Sequence, residues 1–99
     1  MKTRQYLESF VKQGYKAHAS MFYEVNGKKY KFTYDHGNAY EYFKIELFDG
    51  TQLNLIATRD DMNVDSVNCP YLMTETQTKN RVATLMEAAR KYVETLETI

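Results

Sequence analysis

The chain has 99 residues, 43% of them hydrophobic and 26% charged, with 13 basic side chains balancing 13 acidic ones. That length supports one two-layer core, hence a single domain over residues 1–99, and that composition excludes a disordered chain. A net charge of zero excludes a global pull toward nucleic acid or anionic membrane, so any electrostatic contact must be local.

In chain order, residues 3–13 read as a helix. Tyr6, Leu7, Phe10 and Val11 fall at i, i+1, i+4 and i+5 and share one helical face, while Arg4, Glu8, Ser9 and Lys12 lie elsewhere. Thr3 suits an N-cap and Gly14 a left-handed C-terminal cap. Asn26-Gly27 then marks a two-residue hairpin turn, because such turns need positive φ at both central residues. That turn sets Val25 opposite Lys28, Tyr23 opposite Tyr30, Met21 opposite Phe32 and Ala19 opposite Tyr34 on one face. Glu24–Lys29, Phe22–Lys31 and Ser20–Thr33 fall on the other. One face is apolar and the other holds an opposite-charge pair, so the register is internally consistent.

A second hairpin is expected at Asp49-Gly50. A two-residue turn leaves both faces mixed, whereas a three-residue loop, Phe48-Asp49-Gly50, pairs Ile45 with Leu53 and Phe43 with Leu55. Tyr42, Lys44, Glu46, Gln52 and Asn54 then share the opposite face. Residues 59–75 are too long for an idle connection and carry Met62, Val64, Val67, Tyr71, Leu72 and Met73, which predicts partial packing or contact with a partner. Residues 78–97 form the last helix, capped by Thr76 or Thr78, with Val82, Leu85, Met86, Ala89, Tyr92, Val93 and Leu96 recurring every three or four positions.

The expected fold is therefore α+β in the order α-β-β-β-β-α, an antiparallel four-stranded meander with both helices packed on one face. The expected core holds Leu7, Phe10, Met21, Tyr23, Phe32, Phe43, Ile45, Leu53, Leu55, Val82, Leu85, Met86, Ala89 and Val93.

Chemistry-bearing patterns are sparse. Asp61-Met62-Asn63-Val64-Asp65 starts like a calcium loop, but Ser66 stands where the sharp-turn glycine belongs and Leu72 where the closing Glu belongs. Cys69, His18 and His36 are scattered, without the local signature of a nucleophile or the paired spacing of a zinc site. The glycines turn or end elements and form no phosphate-cradling cluster. No catalytic residue, metal ligand or cofactor site is expected, and the chain reads as a non-enzyme.

A single cysteine suits a reducing compartment, the N-terminal residues lack the apolar region of a signal peptide, and no apolar run approaches the roughly 20 residues that span a bilayer. The expected address is the cytoplasm. The element order resembles that of double-stranded RNA-binding domains, but in order only. The lysine cluster that family carries at its last helix is reduced here to Lys79 and Arg81, and a tight turn replaces its first hairpin loop. No membership follows.

Two surfaces remain. The outer sheet face interleaves Phe22 and Tyr42 with Lys29, Lys31 and Lys44, a pattern that could stack bases over a basic platform. Glu24 and Glu46 neutralise part of that charge, and lysine stems can pack on the rings instead. Asp60, Asp61, Met62, Asp65 and Tyr71 mix carboxylates with apolar groups in the long loop, as a partner-binding segment would. The expected function is a non-catalytic interaction module, a homodimer or a subunit of a protein partner, with nucleic acid as the alternative ligand.

Overall fold

In the computed structural model, the backbone is described for residues 3–38 and 40–98, and side chains for residues 10–38 and 40–98. Five strands form one antiparallel sheet in sequential order: β1 (Thr3–Gln13), β2 (Lys16–Val25), β3 (Lys28–His36), β4 (Glu41–Phe48) and β5 (Leu53–Thr58). Two short 3-10 helices, Arg59–Met62 and Pro70–Leu72, lead into one long helix, α1 (Glu75–Glu97). The fold is α+β, as expected, with five strands in place of four and without a helix at the N-terminus.

The expected helix over 3–13 is strand β1. Its pairing to β2 slips by one residue between Leu7 and Ser9, so Leu7 stands opposite Met21 and Phe10 opposite Ala19. Both partners occupy core positions of β2. A β-bulge adds one residue to one strand, and here it converts a spacing of two into a spacing of three. That spacing imitates a helical stripe. Gly14 does adopt positive φ (59°), but as the first residue of the two-residue turn into β2, while Tyr15 is not in the positive-φ region. Positive φ at the first central position alone is the II′ hairpin pattern. The expected core position Leu7 lies outside the described side chains.

The Asn26-Gly27 hairpin matches its expected register at every pair from Ala19↔Tyr34 to Val25↔Lys28. Asn26 (φ 54°) and Gly27 (φ 78°) both take the left-handed conformations that a I′ turn demands.

The Asp49-Gly50 hairpin differs. Phe48 pairs with Leu53, Leu47 with Asn54 and Glu46 with Leu55, and a bulge then sets Ile45 opposite Ala57. The connection is a four-residue loop organised by Asp49, whose carboxylate accepts from the Thr51 and Gln52 N–H groups at 2.9 Å each. It also accepts from the Thr51 hydroxyl at 2.9 Å and the Asn54 amide at 3.1 Å. These bonds, the Gln52 N–H first, hold the Asp49 carboxyl well below the usual carboxylate range. Fixing the loop this way turns Leu53 and Leu55 outward, so both leave the expected core and small Ala57 takes the inward position.

The core lies between α1 and one sheet face. Met21, Tyr23, Phe32, Tyr34, Phe43 and Ile45 pack against Val82, Leu85, Met86, Ala89 and Val93, with Phe10 half-buried at the edge. The tyrosine-heavy composition has a specific use here. Tyr23, Tyr30 and Tyr34 bury their rings and send their hydroxyls to Glu94, Glu97 and Glu41 respectively. Burial, followed by the adjacent carboxylates, raises the pKa of all three phenols.

α1 starts earlier than the apolar period suggests. Thr74 is its cap: the Thr74 hydroxyl accepts from Gln77 N–H at 3.1 Å, and the Gln77 side chain accepts from Thr74 N–H at 2.9 Å. Thr78, one of the expected caps, is buried inside the first turns, with its hydroxyl donating to Thr74 O at 2.9 Å. Twenty-three residues at 1.5 Å give about 35 Å, close to the longest dimension of the domain, 38 Å.

Candidate interaction surface on the open sheet face

The sheet face turned away from α1 is built from cross-strand rows. One row runs Phe22–Lys31–Glu46–Leu55 and the next runs Glu24–Lys29–Phe48–Leu53. Both rows carry charged residues across β2–β3 and end on a leucine of β5; on β4 the first row still holds a charge, Glu46, and the second holds Phe48. The register thus divides the face into a mixed half and an apolar half.

In the mixed half, the expected platform residues do share one face. Lys29 Nζ lies 4.4 Å from the Phe22 ring centroid and Lys31 Nζ lies 5.5 Å from it, so both cations sit over the ring. Lys44 Nζ is 3.6 Å from Glu46 Oε1. Tyr42 stands opposite Asp35, two rows away from Phe22.

The apolar half was not foreseen from the sequence, because the expected register turned its leucines inward. Phe48 is 40% exposed, Leu53 36%, Leu55 58% and Ile56, at the bulge, 37%. β5 is an edge strand, and Leu53–Thr58 contains no charged residue and no proline. The missed signal was Asp49-Gly50-Thr51: an Asp two residues before a Thr favours an Asx turn with its own loop length.

The 59–74 segment is a partly packed strap, with Leu72 left 69% exposed. Met62 and Val64 rest against the core and Pro70 is buried. Asp61 accepts from Thr58 N–H at 2.8 Å and from the Thr58 hydroxyl at 3.3 Å. Asp65 gives its carbonyl to Arg81 Nη2 at 2.6 Å. Tyr71 meets Tyr15 edge-on at 5.9 Å. Asp60 points outward, its side chain 86% exposed with Arg59 Nη2 at 3.5 Å. Asp60 and Tyr42 line one shallow depression of about 40 Å³, where strap and outer face meet.

Beneath that junction lies a buried ionic cluster that the sequence did not flag. Glu41 receives Arg81 Nε at 2.9 Å, Arg81 Nη2 at 2.7 Å and the Tyr34 hydroxyl at 2.9 Å. Arg59 Nη1 adds a contact at 3.4 Å. Burial alone would push the Glu41 carboxyl up, but the Arg81 and Tyr34 hydrogen bonds and the two guanidinium charges outweigh it and hold the carboxyl below its ordinary value. The cluster joins β4, the strap and α1. It also takes Arg81 out of any basic surface, leaving Lys79 alone of the pair at the start of the last helix.

Cys69 is exposed, His36 is buried, and His18 is paired across strands with Asp35. Among the described residues no group of three or more His, Cys, Asp or Glu side chains could hold a metal ion. No described helix is long and apolar enough to cross a membrane. The chain matches no family model, no curated protein and no solved structure.

Proposed function

We propose that this chain is a non-catalytic interaction module that docks a protein surface, a partner chain or a second copy, on the apolar half of its open sheet face. The observation that carries this reading is the contiguous exposure of Phe48, Leu53, Leu55 and Ile56 on and beside an uncharged edge strand. An apolar edge strand without charge or proline is a template for another chain, through its unpaired backbone groups and its side chains together. Full burial of an exposed leucine contributes about 1.5–3 kcal/mol, and covering Leu53 and Leu55, already partly buried, gains the share of it that matches their exposure. Asp60 and Tyr42 extend the surface along the strap. A single exposed cysteine suits a cytoplasmic address for the module.

Binding of nucleic acid to the mixed half is the second reading, favoured by Phe22, Lys29, Lys31, Tyr42 and Lys44 on one face. Lys29 and Lys31 already cover the ring that would stack a base, and Lys44 is near Glu46. Affinity capture from the native cell, with a second differently tagged copy supplied, separates the two readings. Protein partners that resist nuclease support docking. Loss on nuclease treatment, with steep weakening in salt, supports nucleic acid.

A further inference from the structure

At the opposite end of the open face, β1, β2, the end of β3 and Tyr40 line an open cleft of about 400 Å³. The register brings its walls together: Val11 stands opposite His18, Gln13 opposite Lys16, and His18 opposite Asp35. Tyr40 closes one side. Its ring lies so near Gly37 that a Cβ there would sit 2.4 Å from a ring carbon, so a side chain at 37 would displace the ring. Gly37 N–H donates to Tyr40 O at 3.0 Å, which holds the Tyr40 backbone beside Gly37.

The cleft has an apolar body and two charged side chains of opposite sign, Lys16 and Asp35. Val11 and the Tyr40 ring supply apolar surface, and Gln13 supplies an amide. His18 Nδ1 donates to Asp35 Oδ1 at 2.9 Å, which engages one oxygen of that carboxylate without removing its charge. Lys16 makes no ion pair among the described residues, so its ammonium gives up no partner when it meets a ligand. The volume falls within the ordinary range of small-molecule sites, roughly 300–1,000 Å³.

We propose that this cleft binds a small organic anion with a flat apolar body, in its simplest form an aromatic carboxylate. The ring packs between Tyr40 and Val11, and the carboxylate meets Lys16 and the Gln13 amide. The site is separate from the docking surface on β4–β5 and does not depend on it. The test follows backbone amide resonances of the full chain during titration with benzoate, and with benzyl alcohol and benzylammonium as neutral and cationic counterparts. Benzoate should shift Gln13, Lys16, His18, Asp35 and Tyr40 saturably and bind more tightly than either counterpart. Lys16→Met should weaken it about fivefold, as expected for one charge near contact in water, and Asp35→Asn should tighten it. Tyr40→Ala should weaken benzoate and benzyl alcohol alike, and the dispersion of the remaining resonances reports that each variant is folded. The proposal is overturned by the absence of saturable shifts up to about 20 mM benzoate. Equal or tighter binding of benzylammonium, or Lys16→Met leaving benzoate unaffected, overturns it as well.

Discussion

Replacing Glu41 by Gln isolates the junction that joins β4, the strap and α1. The Glu41 side chain is 1% exposed, and those of Arg81 and Arg59 are 14% and 20% exposed. The substitution removes the one negative charge that faces two nearly buried positive ones and turns an amide donor toward guanidinium donors. Breaking one side of a buried pair costs about 3–5 kcal/mol. A domain of this size loses about 4–8 °C of unfolding midpoint per kcal/mol, so the midpoint should fall by at least about 12 °C. Acidity supplies a second readout. The folded Glu41 carboxyl titrates below its unfolded value, so its contribution is complete above about pH 4.3 and is lost as pH falls through the folded value. Thermal and urea unfolding of parent and variant between about pH 7 and about pH 3 should therefore show a gap that narrows in acid. Asp49 and Glu97 also titrate low, but they are present in both proteins and cancel in the difference. A variant within about 1 kcal/mol of the parent at neutral pH, the scale of an exposed ion pair, would refute the reasoning, as would a gap that stays constant in acid.

Three further outcomes follow from the packing and can be read by urea unfolding. Phe32→Ala and Leu85→Ala, both fully buried, should each cost about 2–5 kcal/mol; an unchanged midpoint would remove either from the core. Leu55→Ala should change stability by no more than about 0.5 kcal/mol, whereas Ala57→Leu should cost about 1–3 kcal/mol by overpacking against Ile45; the reverse ranking would restore the register that points Leu55 inward. Asp61→Ala removes the acceptor for Thr58 and should cost about 0.5–2 kcal/mol, while Asp65→Asn, which keeps the carbonyl that Arg81 uses, should be nearly neutral; equal effects would show that the Asp61 contacts are dispensable.

What the sequence disclosed, and what it withheld, has a physical pattern. The β2–β3 register was legible because Asn26-Gly27 admits one turn type and the alternation on both sides agrees with it. The face of α1 was legible from Val82, Leu85, Met86, Ala89 and Val93, but its start was hidden because Thr74 and Gln77 precede the first apolar residue. Strand β1 was misread because the bulge after Leu7 sets residues three apart, Leu7 and Phe10, opposite two core positions of β2, a spacing that strands and helices then share. The β4–β5 register was misread because an apolar match was preferred over the hydrogen-bonding capacity of Asp49. That single choice concealed the exposed corner of Phe48, Leu53, Leu55 and Ile56. Glu41 showed nothing in sequence, since its partners Arg59 and Arg81 lie far along the chain and meet it only in the fold. Asp61 and Asp65 looked alike in sequence, yet one caps a turn through its side chain and the other serves through its backbone.

Docking on the apolar corner is tested most directly by quantitative affinity capture with three baits: the parent, Leu55→Lys on the outer face of β5, and Ala83→Lys on the exposed side of α1. A charge placed at the centre of an apolar contact must be desolvated, so Leu55→Lys should reduce the recovered protein, or the recovered second copy, by at least about tenfold. Ala83→Lys should recover as much as the parent, and nuclease should change neither result. Recovery by Leu55→Lys equal to that of the parent, with its fold intact by circular dichroism, would contradict the account.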